Sequence, residues 1–280
     1  MKQNDLTFEG KMTELRMEIP HPNNRNKVFL LLEGDSDVRL YRKLCNNDTA
    51  KVEMIPGGKF KLEECLIELC KQCPRIIGIR DADFLHLEGK SSPFNKLFLT
   101  DFHDMEIMIA ACDDVFSAIL CEFSDKQKET HAPLKVQLLE SLRFMSCFRW
   151  HNDTNRIGLA FEHVGFNDLF DIKNFNFNKQ QYVQKVVLKS PNAKIKDPIL
   201  LLLVVEQLSE GSHELLQLCN GHDFMKITAL YLSKFLKKGI GEDTIAAIFR
   251  IAYSINHFKT TQLYKNINAW AANRWQIFES

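Results

Sequence analysis

From Lys27 the chain reads Lys27-Val-Phe-Leu-Leu-Leu32 and then stops abruptly at Glu33-Gly34-Asp35-Ser36-Asp37. An unbroken apolar run of strand length predicts a strand buried on both faces, which is the situation of a parallel sheet covered by helices. The polar stop predicts a turn in which Gly34 frees the backbone and Asp35 or Ser36 caps a helix. Val38, Tyr41, Leu44 and Cys45 then recur at helical spacing.

The same alternation repeats. Residues 51–55 read as a second strand, broken by Pro56-Gly57-Gly58. Leu62, Leu66, Leu69 and Cys70 share one helical face, and Arg75-Ile-Ile-Gly-Ile79 is a third strand. Leu97-Phe-Leu99 is a fourth, leading into a helix that runs to about Leu120. Strand–helix–strand order predicts an α/β chain with a parallel sheet and flanking helices. Residues 121–150 read as helical, apart from a polar stretch at 124–130. Residues 150–180 lack a strong period and read as an irregular insertion or hairpin, and helical patterns return to the end of the chain. The expected division is a sheet domain over 1–125 and a mainly helical domain over 126–280.

In parallel sheets, function collects at the carboxyl ends of the strands. This chain places acids there repeatedly: Glu33 after the first strand, Asp81 and Asp83 after the third, Asp101 after the fourth. Hard divalent cations take oxygen ligands, usually a few carboxylates with water and substrate phosphate. Asp-x-Asp at a strand end lets two side chains turn toward one point, and Asp37 at a helix start can fold back toward Glu33. The alternative is that residues 35–37 cap a helix and complement its dipole while Asp81 and Asp83 are solvated. Glu106 interrupts an apolar stretch, or belongs to an acidic first helical turn.

Charge and cysteine content narrow the function classes. The 36 basic and 36 acidic side chains cancel, but residues 171–280 carry 14 Lys/Arg against 9 Asp/Glu and the first 170 carry 22 against 27. A wholly basic nucleic-acid coat is excluded. The longest apolar run, Ile199 to Val205, falls far short of the about 20 residues of a membrane span. The polar N-terminus lacks the apolar centre of a secretory signal. The eight cysteines read as buried reduced thiols, so a cytoplasmic protein away from membranes is expected. Cys70 and Cys73 form a single Cys-x-x-Cys without the second pair that a zinc site needs.

Glu33-Gly-Asp-Ser-Asp37 after a hydrophobic strand resembles the E-G-x-x-D of Toprim (topoisomerase–primase) domains. Pro56-Gly-Gly-Lys59 is similar to the turn after their second strand, and Asp81-Ala-Asp83-Phe84 to their Asp-x-Asp. The resemblance covers about residues 27–110 and is nearest to the small Toprim nucleases of the OLD (overcoming lysogenization defect) type. A narrower likeness, to the AriB-type effectors of PARIS anti-phage systems, adds His103-Asp104-Met105-Glu106 and Gly221-His222-Asp223. It implies a Toprim-like fold and a toxic endonuclease kept in check by an ABC-type ATPase partner. Catalysis would fall to Glu33, Asp81 and Asp83. Glu33, Asp37, Asp81, Asp83 and Glu106 would hold two Mg²⁺ or Mn²⁺ ions, with Lys59, His103, His222 and Asp223 supporting the site or substrate. The favoured substrate is RNA, tRNA above all, with DNA nicking as the alternative; related nucleases also imply a homodimer.

The basic back half supplies Lys185, Lys189, Lys194, Lys196, Lys234, Lys237 and Lys238. These would clamp a nucleic-acid backbone, or form a solvated helical face. Phe175, Phe177 and Tyr182 would stack on bases or fill a core. The residues leave two other classes open. A phosphatase or sugar-nucleotide transferase built on Asp-x-Asp would leave Glu33 and Asp37 without a role, and the phosphatase pattern wants Thr or Val where Phe84 stands. A non-catalytic Toprim module that binds a partner would not need the intact acidic set. No basic catalytic residue can be placed from the sequence.

Overall fold

The computed structural model describes residues 7–162, 164–166, 168–272 and 274–279. Residues 1–6, part of the N-terminus read above as lacking a secretory signal, lie outside the described residues. The front of the chain runs α1 (Phe8–Glu18), β1 (Val28–Leu32), α2 (Asp35–Leu44), β2 (Ala50–Met54), α3 (Lys59–Leu69), β3 (Ile76–Arg80) and β4 (Leu97–Leu99). It continues through α4 (Met105–Ala111), α5 (Asp113–Phe123), α6 (His131–Asn155), a short hairpin of β5 (Phe170–Asp171) and β6 (Asn176–Phe177), and α7 (Lys179–Leu188). Then come α8 (Pro198–Ser209), α9 (Leu215–Leu218), α10 (Gly221–Leu232), α11 (Glu242–Ala252), α12 (Ile255–Phe258) and α13 (Gln262–Ala271).

The fold is α/β, with a four-stranded sheet in the order β2-β1-β3-β4, every pairing parallel, and a mainly helical part after it. All five residues of β1 are fully buried, as the apolar run predicts. Phe29 and Leu31 pack with Leu62, Leu66 and Leu69 of α3 and with Met12 and Leu15 of α1. Burying a side chain of this size contributes about 1.5–3 kcal/mol, so these rows hold the sheet to its helices. Because successive strand residues face opposite ways, Leu30 and Leu32 turn to the other face, where they are equally buried.

Two compact units divide the chain, and they cut it elsewhere than near residue 125. The sheet-bearing unit comprises Met1–Ala82, Ser91–Asp101 and Tyr253–Ser280. The chain's last residues belong to it through backbone pairing that composition does not reveal: Cys45 bridges Phe278, and the Asn46 N–H donates to the Ile277 carbonyl at 2.9 Å. Asp83–Lys90 and Phe102–Ala252 make up the helical unit. Phe116, Phe224 and Phe249 meet in its core, and Tyr182 is buried against Phe148 and Phe177, the core alternative for that ring.

Several local expectations change. The helix expected to run to about Leu120 is two helices, because Cys112 adopts an extended backbone between α4 and α5. Helix α1 lies ahead of the alternation read from the sequence, and α12 and α13 resolve the stretch read there only broadly as helical. Cys121 is exposed and Cys70 and Cys112 are partly so, which corrects their reading as buried thiols. Among the described residues, no helix is long and apolar enough to cross a membrane.

Candidate functional site

In the sheet-bearing unit the candidate site grows from the carboxyl edge of β1 and β3. The register pairs Phe29 with Ile76 and Leu31 with Gly78. Counting two residues on, Glu33 stands level with Arg80, and Asp81 follows one step beyond on the neighbouring strand. Parallel neighbours lie about 4.8 Å apart, so Glu33 and Asp81 follow the ends of adjacent strands. Asp37, at the third position of α2, turns back and accepts the Gly34 N–H at 3.2 Å, closing the helix start onto the end of β1. Gly34 itself has an ordinary extended backbone, with φ −133°, so it does not free the turn as expected.

Sequence reasoning missed Arg80 and Tyr41. Arg80, the last residue of β3, is buried; its Nε lies 4.0 Å from Glu33 and donates to the Asp81 carbonyl at 3.1 Å, while its guanidinium bonds Glu63. The only signal was an arginine directly before Asp-x-Asp. Tyr41 is fully buried, and among the described residues its hydroxyl has no hydrogen-bond partner. Burial pushes that hydroxyl well above its ordinary range, and the negative charges of Asp37 and Asp81 both add to the effect. Asp37 and Asp81 therefore act on one buried hydroxyl. Asp101 is not part of this group: it accepts the Gln262 and Leu263 N–H groups, both at 2.7 Å, and so caps α13. Lys59 opens α3 after the Gly57–Gly58 turn, where φ values of +103° and +75° require glycine. Its ammonium stands 5.8 Å from the Phe60 ring centroid.

The helical unit holds the other sequence-selected residues. Asp83 adopts a left-handed backbone, φ +49°, a conformation aspartate tolerates better than most residues, and its N–H donates to the His103 carbonyl at 2.7 Å. Asp104, at the start of α4, brings two distant motifs together. Its Oδ1 accepts the Ile107 N–H at 2.8 Å; its Oδ2 accepts the Gly221 N–H at 2.6 Å and the His103 Nδ1–H at 3.0 Å. His103-Asp104-Met105-Glu106 and Gly221-His222-Asp223 are thereby joined across 117 residues of sequence.

Burial works to raise the Asp104 carboxyl, yet His103 and the two backbone donors outweigh it and hold it below its usual range. Glu106 is almost completely buried. Burial and the nearby Asp104 charge raise its carboxyl, against the pull of His222 and Arg250. His103 is buried too, and among the described residues its Nε2 has no partner. His222 is exposed. Asp223 is fully buried in a two-pronged ion pair with Arg149, at 2.7 and 3.1 Å. That makes it an internal anchor of the helical unit rather than a residue open to substrate.

The donor chemistry of Glu33, Asp37 and Asp81 suits a hard divalent cation, since all three offer carboxylate oxygen and lie half-buried at one sheet edge. Their donor atoms are not drawn into a closed cage. Among the described residues, the one set of three with donor atoms all within 4.8 Å of one another is Glu14, Glu18 and Glu53. Each of its acids is already paired: Lys11 pairs with Glu14 and Glu53, and Lys51 with Glu18 and Glu53. No protein-family model matches this chain, and no curated protein matches it.

Proposed function

We propose that the chain is a metal-dependent Toprim endonuclease that cleaves nucleic-acid phosphodiesters in the cytoplasm, of the kind the AriB-type effectors of PARIS systems represent. On this reading tRNA is the favoured substrate, DNA the alternative, and an ABC-type ATPase partner restrains a toxic activity. The observation that carries the proposal is the emergence of Glu33 and Asp81 from neighbouring parallel strands, with Asp37 folded back beside them. Glu33, Asp37 and Asp81 would hold Mg²⁺ or Mn²⁺. A cation held there would supply a lowered pKa to the attacking water and offset charge on the in-line transition state. Arg80, bonded to Glu63 and 4.0 Å from Glu33, supplies positive charge at this edge. Asp83 and Glu106, expected as further ligands, belong to the helical unit.

The test compares the full chain with Glu33→Gln on total tRNA and on supercoiled plasmid, in Mg²⁺, Mn²⁺ or EDTA. Metal-dependent cleavage by the wild type alone is expected, and the substrate cut assigns RNA or DNA. In parallel, millimolar Mn²⁺ is expected to raise the Tm of the wild type by binding the native state, and Asp81→Asn to abolish the rise. An unchanged Tm in the wild type, together with no cleavage of either substrate, overturns the proposal.

A further inference from the structure

Several lysines of the helical unit pair with carboxylates. Lys179 pairs with Glu206, Lys185 with Asp168 and Lys226 with Glu242. Lys126, Lys173 and Lys234 differ: all three are exposed, and among the described residues none has a carboxylate within 4.0 Å. They nevertheless converge on one cavity of about 380 Å³, whose walls include Phe175, Tyr231 and Phe235.

The cavity is held in shape. The Lys234 ammonium donates to the Ile172 carbonyl at 2.8 Å and stands 5.9 Å from the Phe175 ring centroid and 5.2 Å from that of Tyr231. Partial desolvation of the ammonium lowers its pKa, and the charges of Lys173 and Lys126 act in the same sense against a single acid, Asp171. Phe175 adopts a left-handed backbone, φ +53°, unusual for an aromatic residue and of the kind that recurs at ligand clamps. Its ring faces Tyr231 at an interplanar angle of 29°, with centroids 6.1 Å apart. Phe235 leans on Tyr231 at 5.5 Å and remains 43% exposed, a large ring left in water beside three positive charges.

An acidic peptide would satisfy the lysines and leave the rings uncovered. An apolar ligand would cover the rings and strand the ammonium groups. The two demands are met together by a flat aromatic body carrying an anion, and nucleic-acid sites combine them as base-on-ring stacking and phosphate-on-lysine contacts. The volume is near the lower end of ligand pockets, about 300–1,000 Å³, which suits a single unit and not a duplex.

We propose that this cavity binds one nucleotide unit, its base against Phe235 and the neighbouring rings and its phosphate among Lys126, Lys173 and Lys234. A free nucleotide and one residue of a single strand offer the same chemistry. The inference is independent of metal-dependent cleavage, because it concerns other residues and is read in EDTA.

The experiment uses the full chain, a fluorescein-labelled single strand of about ten nucleotides and adenosine monophosphate as competitor, with binding followed by fluorescence anisotropy. Lys126→Ala/Lys173→Ala removes two exposed side chains, and its Tm verifies folding. Relative to wild type, it is expected to weaken binding by roughly ten-fold or more at low salt and to flatten the salt dependence by up to about 0.7 units of slope, the share of one single-strand phosphate. Phe235→Ser is expected to weaken binding by roughly ten-fold with the salt slope unchanged. Displacement of the strand by the mononucleotide assigns the site to free nucleotide; failure to displace it, with the variants impaired, assigns it to a strand. Wild-type affinity in both variants, or no binding of either probe, overturns the proposal.

Discussion

Gly221 has no room for a side chain. A Cβ there would stand 2.3 Å from Asp104 Oδ1 and 2.4 Å from Glu106 Cβ, closer than atoms approach without something moving. The close approach lets the Gly221 N–H reach Asp104 and locks the start of α10 onto the start of α4. Gly221→Ala should therefore destabilise the protein by about 1–3 kcal/mol, the range for overpacked interiors, measured by urea unfolding. Gly34→Ala is the control: its Cβ would meet Asp37 Oδ2 at an ordinary 3.4 Å, and the cost should stay below about 1 kcal/mol. Equal losses in the two variants would remove the special role of Gly221. Both glycines were visible in the sequence, but the two reasons for them were not, since a close approach between residues 104 and 221 leaves no local mark.

At the scale of elements, α1 is tied to β2 by a buried ion pair, Lys11 with Glu53 at 2.6 Å, both nearly excluded from water. Burial acts to lower the Lys11 ammonium, but Glu53 and Glu14 outweigh it, so it is held above its ordinary 10.5. A value raised on folding contributes stability that is complete below pH 10.5 and is lost as pH climbs through the higher folded value. Lys11→Met should cost about 3 kcal/mol at neutral pH by leaving Glu53 undercompensated, with Lys51 3.3 Å away as its remaining partner. Lys11→Met/Glu53→Met should recover much of the loss, and the single-variant penalty should shrink above pH 10.5. A penalty that is flat through that pH would show that packing of the lysine stem, not its charge, holds α1.

Across the whole molecule, thiol reactivity maps the burial of the fold. Of the eight free cysteines, Cys45, Cys65, Cys73, Cys147 and Cys219 are buried and Cys121 is exposed. Burial pushes the thiols of Cys65 and Cys219 up to about 12, so they stay protonated and inert near neutral pH, where the thiolate is the reactive form. Alkylation of the native chain followed by mass mapping should label Cys121 first, then the partly exposed Cys70 and Cys112, with the five buried thiols appearing only on unfolding. Early labelling of Cys219 would mean that the core of the helical unit opens far more readily than its packing implies.

The apolar runs at residues 28–32 and 76–79, with the helical faces between them, determined the parallel sheet and the edge at which Glu33, Asp37 and Asp81 emerge. That much is local, because strand burial and helix starts are written in consecutive residues. Tertiary structure decided the rest. It gave Asp101 to α13, Asp223 to Arg149 and Arg80 to Glu33 and Glu63, and it returned residues 253–280 to the sheet-bearing unit. An acid at a strand end looks the same in sequence whether it faces solvent, a cation or a helix start. Its partner, arriving from scores of residues away, decides which, because a buried charge persists only where an opposite charge or a donor meets it.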